Sequence, residues 1–174
     1  MREQAVRHKT QEMVVFAFLG AILVVVQFAL SSLPNVEVVS LLVYIYAKVF
    51  GKKALIPVYV FVLIEGLIYG FTIWWITYLY VWDVLVFVSI LTKNKDSVPV
   101  CALVTSLFGL SFGLLCSIPT FLIGGPGAGI SFFLAGISFD IAHFAGNTLA
   151  ALLLYKPLYA VISMLANKMH ISAA

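Results

Sequence analysis

Residues 129–157 read GISFFLAGISFDIAHFAGNTLAALLLYKP, an apolar stretch that also carries an acid, an imidazole and an amide. The stretch is long enough to cross a bilayer, because a membrane-spanning helix needs about 20 mostly apolar residues. At about 100° per residue, Asp140, His143 and Asn147 fall within roughly 60° of one another, with Gly136 beside them. Ionisable groups at membrane depth are costly and persist where they face a cavity, a partner or a transported molecule. The stretch therefore predicts a transmembrane helix with one narrow functional face.

The whole chain has the composition of a membrane protein. Of its 174 residues, 63% are hydrophobic and only 10% are charged, whereas soluble domains carry about 25% charged residues. The chain is too short for two sizeable membrane domains, so we expect residues 1–174 to form one all-α bundle. Such a bundle leaves no room for a large soluble domain, so any nucleotide hydrolysis is expected on partner proteins.

Breaks in the apolar pattern divide the chain into six predicted transmembrane helices. Pro34 interrupts the first apolar run, since proline cannot continue a helix without cost. Residues 51–53 form a basic turn, residues 92–97 a polar loop, and residues 123–129 a turn rich in glycine. The predicted helices cover about residues 12–30, 36–50, 54–71, 78–91, 98–122 and 131–155.

The basic residues all fall on one side of this six-helix arrangement, in its cytoplasmic segments or at the adjoining helix ends. The three loops on the other side contain none. This is the positive-inside pattern, which predicts that both termini are cytoplasmic. The ten basic residues are Arg2, Arg7, Lys9, Lys48, Lys52, Lys53, Lys93, Lys95, Lys156 and Lys168.

Four acidic residues are predicted to lie in the outer half of the bundle, where no lysine or arginine can pair with them. They are Glu37, Glu65, Asp83 and Asp140. Protonation, a cation, or hydrogen bonds to tyrosines, to an amide or to a bound molecule would have to compensate for them. Glu37 follows a helix break, so we expect it to interact with the positive end of the next helix dipole.

Aromatic residues are densest in residues 72–83, which read TIWWITYLYVWD. Trp and Tyr favour the level of the lipid headgroups, and this preference accounts for about half of these rings. The other half are expected to line a pocket, where flat rings stack on a flat ligand. Together with the polar residues, they give a predicted substrate-binding set of Glu65, Tyr69, Trp75, Tyr78, Asp83, Asp140, His143 and Asn147.

Five features together resemble the substrate-binding S component of an energy-coupling factor (ECF) transporter, a bacterial vitamin importer of the ABC type. The first is a length of 174 residues with six predicted spans. The second is Ala17-x-x-x-Ala21 in the first span. The others are LPNVE at residues 33–37, GLIYG at residues 66–70, and FDIAH at residues 139–143 followed by Asn147 and LLYKPL at residues 153–158. The resemblance covers essentially the whole chain.

The resemblance implies a vitamin bound in an outward-facing pocket of a multi-pass protein in the bacterial cell membrane. It implies that Asn35 and Glu37 belong to a loop that closes over the pocket. It also implies that Ala17 and Ala21, with Gly20 between them, dock onto a separate transmembrane coupling protein. Two cytosolic ATPases would then drive release of the vitamin. No cofactor, resident metal or nucleic acid is expected.

Substrate choice varies within this family and has to be predicted from the pocket. An anionic vitamin such as biotin, folate or pantothenate would favour a lysine, an arginine or a helix N-terminus. The predicted pocket has none, which favours a neutral or cationic ligand with a flat ring, such as a pyridoxine-like or pyrimidine-like molecule. Cobalamin or a deazapurine precursor is also compatible. Family members that transport nickel or cobalt begin with Met-His, whereas this chain begins Met1-Arg2, so we do not expect a metal substrate.

Two other functions fit parts of the sequence. Asp140, His143 and Glu65 would form a proton relay in a stand-alone proton-coupled carrier. No inverted repeat of broken helices, which many such carriers contain, is recognisable in the sequence. A small membrane enzyme would use the pair Asp140 and His143, but the chain has no HExxH or GxSxG motif, so we expect it not to be an enzyme.

Overall fold

A computed structural model describes residues 2–32, 37–92, 94–95 and 97–171, with side chains given for residue 6 and from residue 8 onward within those ranges. The predicted gating residue Asn35 lies outside the described residues. The described part of the chain is all-helical, with a short 3₁₀ turn at Gly51–Ala54. The α-helices are α1 (Arg2–Ala29), α2 (Val39–Phe50), α3 (Leu55–Tyr69), α4 (Ile73–Leu91) and α5 (Val98–Lys168).

The long helix α5 turns back on itself at Gly125. This residue has φ 82° and ψ 176°, a backbone conformation that glycine adopts without steric cost. Pro126 follows directly, at a position where a helix start tolerates proline. The two arms, residues 98–124 and 126–168, then run antiparallel, and the hydroxyls of Ser106 and Thr148 meet across them at 2.7 Å. The division predicted at residues 123–129 is therefore made by a single non-helical residue.

Three helical stretches of the described chain are long and apolar enough to cross a membrane, namely His8–Ala29, Ile73–Leu91 and Val98–Lys168. Helices α2 and α3 have 12 and 15 residues. At 1.5 Å per residue they extend for about 18 and 22 Å, less than the roughly 30 Å of a bilayer's hydrocarbon core. Helix α4 begins at Ile73 rather than at about residue 78. The architecture is thus that expected of an all-α membrane protein.

Helix α2 forms the centre of the bundle. Every residue in it except Val49 is buried, as expected of a helix that is apolar on all sides. The hydroxyl of Tyr46 donates a hydrogen bond of 3.4 Å to the backbone carbonyl of Leu19 in α1. Because α2 is surrounded, Glu37, which precedes its first turn, is held among the neighbouring helices, beside His143 of α5.

The two ends of helix α2 lie beside different ionisable side chains. At one end, Lys53 pairs with Glu12 at 2.7 Å, and the ammonium group of buried Lys48 donates to the carbonyl and hydroxyl oxygens of Thr92. We call this the lysine end. Helix α2 starts at the opposite end, where α3 also finishes, and Glu37 marks that end. We call it the acidic end.

Candidate functional site

The polar stripe of the predicted sixth span lies buried between the two arms of α5. Asp140, His143 and Asn147 are 6%, 4% and 1% exposed. One carboxylate oxygen of Asp140 accepts a hydrogen bond of 2.9 Å from the backbone N–H of Gly113. The side-chain amide of Asn147 donates to the carbonyl oxygen of Thr105 at 2.9 Å. The stripe therefore faces the first arm of α5 rather than lipid.

Two glycines of the first arm make room for this stripe. A β-carbon on Gly113 would collide with the Asp140 carboxylate, and one on Gly109 would lie 3.0 Å from the Asn147 amide nitrogen. The same β-carbon on Gly109 would approach His143 at 3.1 Å. Neither glycine was predicted from the sequence as part of the site. Their Gly-x-x-x-Gly spacing in an apolar helix, which marks close helix approach, is the signal that would have found them.

Glu37 joins the start of α2 to the stripe. One of its carboxylate oxygens lies 3.1 Å from the Nε2 atom of His143. The other accepts a hydrogen bond of 2.7 Å from the backbone N–H of Ser40 in the first turn of α2. The predicted interaction of Glu37 with a helix N-terminus is confirmed, because a carboxylate there satisfies a free N–H group and complements the helix dipole.

Tyr78 connects Glu65 with the rest of this region. It interacts electrostatically with Glu65, with Glu37 and with Cys116. Cys116 in turn interacts with Asp140, and Glu65 is only 3% exposed. Cys116 is partly buried and lies three residues beyond Gly113 on the same arm of α5. We name the following set the polar cluster: Glu37, Glu65, Tyr78, Cys116, Asp140, His143 and Asn147.

Aromatic rings form a continuous chain of contacts through the polar cluster. Successive ring centroids are 6.5, 5.2, 5.5, 6.1 and 5.1 Å apart. Most of the contacts are edge-to-face, the geometry that aromatic pairs prefer. The chain starts at a half-exposed ring and ends at a buried imidazole, so it runs from the surface into the cluster. Its members, in order, are Tyr69, Trp74, Tyr78, Trp82, Phe112 and His143.

The structure places two predicted substrate-binding residues elsewhere. The indole N–H of Trp75 donates to the carbonyl of Val62 at 2.9 Å, so this ring holds α4 against α3. Asp83 accepts a hydrogen bond of 2.7 Å from the hydroxyl of Tyr59, a residue that is 40% exposed. Asp83 thus belongs to the outer face of the α3–α4 pair and not to the polar cluster.

The three predicted docking residues on α1 differ in exposure. Ala17 is exposed and Ala21 is half-buried, whereas Gly20 is buried. A β-carbon on Gly20 would lie 2.6 Å from the side chain of Val60 and 2.8 Å from the backbone carbonyl of Pro57. Gly20 therefore allows close packing of α1 on α3, and it is Ala17 that α1 presents outward.

Buried acceptor atoms remain unpartnered in this part of the protein. Within the described residues, neither the second carboxylate oxygen of Asp140 nor the amide oxygen of Asn147 has a hydrogen-bond partner. Leaving such a group unsatisfied costs about 1–3 kcal/mol. A search of the described residues finds no group of three or more His, Cys, Asp and Glu side chains arranged to hold a metal ion. Two buried acceptors of the stripe therefore lack a donor within the described part of the chain.

Comparisons with known proteins do not assign this chain to a family. Protein-family models, curated proteins and solved structures all give no match to it. What the chain does must therefore be inferred from the chemistry of the polar cluster and from the distribution of its charges.

Proposed function

We propose that this protein is the substrate-binding subunit of an ECF-type ABC importer. It would capture a neutral or cationic, flat-ring vitamin or vitamin precursor at the outer face of a bacterial cell membrane. A pyridoxine-like or pyrimidine-like ring fits best, while cobalamin or a deazapurine precursor fits less well. The observation that carries the proposal is the buried polar stripe of α5, in which His143 meets Glu37 at 3.1 Å and one carboxylate oxygen of Asp140 has no partner among the described residues.

The orientation follows from the two ends of the bundle. Lys48 and Lys53 lie at the lysine end, and basic residues are concentrated on the cytoplasmic side of membrane proteins. In the proposed arrangement α1 to α4 and the two arms of α5 are six membrane segments with both termini in the cytoplasm. The acidic end, with the polar cluster, then faces outward, where an importer meets its substrate.

The chemistry of the cluster supports the proposed substrate class. Carboxylates and a carboxamide offer acceptors, and the ring chain from Tyr69 to His143 offers flat apolar surfaces. An anionic substrate would need a guanidinium, an ammonium or a free helix N-terminus. The start of α2 is already occupied by Glu37. Neutral and cationic rings therefore suit the site better than anionic vitamins.

Transport would depend on other proteins. In this proposal α1 docks onto a transmembrane coupling protein through its outward face, which includes Ala17. Small residues at such a position let a second helix approach closely. Two cytosolic ATPases would supply the energy, and the chain itself would have no enzymatic activity.

The proposal is tested by separating binding from transport. We expect the purified chain in lipid nanodiscs to bind its vitamin without partners, and uptake into proteoliposomes to require the coupling protein and ATP. Ala17→Trp should leave binding unchanged and abolish uptake, because a bulky ring would prevent docking. Uptake that survives Ala17→Trp would place the docking face elsewhere, and a chain that binds no small molecule would refute the proposal.

One contact favours a second candidate function, a stand-alone proton-coupled carrier. His143 lies 3.1 Å from Glu37 and interacts electrostatically with Asp140, so an imidazole lies between two carboxylates. With Glu65 nearby, such groups could pass a proton through the membrane region. Uptake by the purified chain alone, driven by a pH gradient and independent of ATP, would establish this function in place of the first.

A further inference from the structure

We propose that an anionic phospholipid binds in a groove between α4 and the first arm of α5, with one acyl chain along the groove and its phosphate beside Lys95. The groove lies on the lateral surface of the bundle, toward the lysine end. This inference goes beyond the proposed function, since it concerns neither the polar cluster nor the outward face of α1. A lipid site here would stand whether or not the polar cluster binds a vitamin.

The groove has the size and lining of a site for a hydrocarbon chain. Its volume is about 230 Å³. From Leu103 to Ser111 it extends for about 12 Å at 1.5 Å per residue, most of the roughly 15 Å depth of one leaflet of the hydrocarbon core. Among the described residues that line it only Ser111 is polar, and its hydroxyl donates to the carbonyl of Phe108 at 3.0 Å. The groove therefore offers apolar contact and no polar group that needs a ligand.

The rim of the groove is open at the surface of the bundle. Leu103 and Leu107 of α5 are 59% and 50% exposed, and Val84 and Val88 of α4 are 40% and 39% exposed. Both helices are long and apolar enough to cross a membrane, so in a bilayer lipid chains would cover these side chains. A whole helix, about 10–12 Å across with its side chains, is too wide to enter the groove. A single acyl chain can lie along it.

The groove ends close to the loop that joins α4 to α5, and this loop is basic. Residues 92–97 contain two lysines and one aspartate. Val88 lies one helical turn before the loop, because the N–H of Thr92 donates to its carbonyl at 3.2 Å. The side chain of Lys95 is exposed and forms no ion pair within the described part of the chain. A phosphate at the end of the groove would therefore meet the ammonium group of Lys95.

Buried Lys48 of α2 brings a further positive charge to the same point. Its ammonium group donates to the carbonyl oxygen of Thr92, and the backbone N–H of Lys95 donates to the same oxygen at 2.9 Å. Lys48 and the loop together contain three lysines and one aspartate, a net charge of +2. Basic groups between membrane helices attract anionic lipid headgroups. An apolar groove that ends at such a corner therefore matches an anionic phospholipid in both of its parts.

The experiment measures lipid binding to the full chain, freed of lipid in a neutral detergent, by native mass spectrometry. The probes are phosphatidylglycerol, phosphatidylcholine with the same acyl chains, and glycerol 3-phosphate, which carries the phosphate without acyl chains. We expect phosphatidylglycerol to bind about fivefold or more tighter than phosphatidylcholine, the factor that one lysine near a membrane surface contributes. Glycerol 3-phosphate should not bind. Equal binding of the two lipids, or binding of glycerol 3-phosphate as tight as that of phosphatidylglycerol, would overturn the proposal.

A matched pair of lysine variants then locates the headgroup. Lys95→Gln should weaken binding of phosphatidylglycerol about fivefold and leave that of phosphatidylcholine unchanged. Lys168→Gln is the control, because Lys168 is also exposed but adjoins Met169, which borders a different groove beside Thr10 and Gln11 of α1. This control should keep the wild-type affinity. Equal losses in the two variants would show that only the net charge of the protein matters, and would overturn the placement of the phosphate.

A second matched pair locates the acyl chain. Leu103 and Leu149 are each 59% exposed, but only Leu103 lines the groove. Leu103→Trp should weaken binding of phosphatidylglycerol about tenfold or more, because losing the burial of two methylene groups already accounts for that factor. Leu149→Trp, on the second arm of α5, should bind it as the wild-type chain does. Equal affinities of the two variants would overturn the proposal, and so would a dimer of the wild-type chain that is lost in Leu103→Trp, since the groove would then hold a second copy.

Discussion

Charged side chains are paired at one end of the bundle and incompletely paired at the other. At the lysine end Lys53 pairs with Glu12 at 2.7 Å, and Lys48 is held by oxygen atoms of Thr92. At the acidic end His143 lies beside both Glu37 and Asp140, one oxygen of Asp140 has no hydrogen-bond partner among the described residues, and buried Glu65 forms no ion pair within them. Unpaired ionisable groups in a membrane protein are costly and mark sites that bind or move something. The comparison therefore places the incompletely paired groups, and with them the proposed binding site, at the acidic end.

The largest loss of stability is expected from a bulky side chain at Gly113, which packs against Asp140. Gly113→Leu should lower the free energy of unfolding by about 3 kcal/mol, the upper part of the range for overpacking, because its side chain would displace the Asp140 carboxylate. Gly136→Leu, on the second arm of α5, is the control, since nothing lies within 4 Å of a β-carbon there. Thermal unfolding in detergent measures both variants, and equal melting temperatures would contradict the packing of the two arms.

The next prediction concerns the negative charge of Asp140, which can be removed without changing the shape of the side chain. Asp140→Asn keeps an oxygen that can accept the Gly113 N–H bond but removes the negative charge. Binding of a ligand that donates a hydrogen bond to this carboxylate should weaken by about 2 kcal/mol, roughly 30-fold. Asp83→Asn is the comparison, because its carboxylate contacts Tyr59 on another face. If isothermal titration shows the larger loss for Asp83→Asn, the site lies on the α3–α4 face and the polar cluster is not the binding site.

A smaller effect is expected from the one balanced pair at the acidic end. Glu37→Gln and His143→Gln, separately and together, form a double-mutant cycle for stability. We expect a coupling energy of about 1–2 kcal/mol, since both side chains are largely buried and 3.1 Å apart. A coupling near zero would mean that the contact contributes nothing to the folded state. The Glu37 carboxylate would then be available to bind the ligand rather than the imidazole of His143.

Much of this arrangement was predictable from periodicity and charge. The apolar runs predicted an all-α membrane protein, and the structure has long apolar helices in the places where most of them were expected. The 3.6-residue period placed Asp140, His143 and Asn147 on one face, and all three are buried together. The helix break before Glu37 predicted its contact with the start of α2. Each of these features depends on local sequence alone.

Other features depend on which helices become neighbours, and periodicity carries no such information. In the sequence, Glu65 and Asp83 are both acids in the predicted outer half of the bundle. In the structure, Glu65 interacts electrostatically with Tyr78, whereas Asp83 accepts a hydrogen bond from Tyr59. Cys116 gave no signal beyond its apolar surroundings. Gly20 looked like a residue for a partner protein because the sequence did not show that α3 covers it. The continuity of α5 around Gly125 was also missed, because glycine-rich stretches more often form loops.

The smallest loss of stability is expected from breaking the Lys53–Glu12 ion pair at the lysine end. The side chains of Lys53 and Glu12 are 30% and 26% exposed, so water screens their attraction. Lys53→Met should therefore lower the free energy of unfolding by only about 0.2–1 kcal/mol. Ligand affinity, measured by titration on the same preparation, should not change, because this pair lies at the opposite end of the bundle from the polar cluster. A loss of affinity in Lys53→Met would show that the two ends are coupled, and pairing at one end could no longer be separated from recognition at the other.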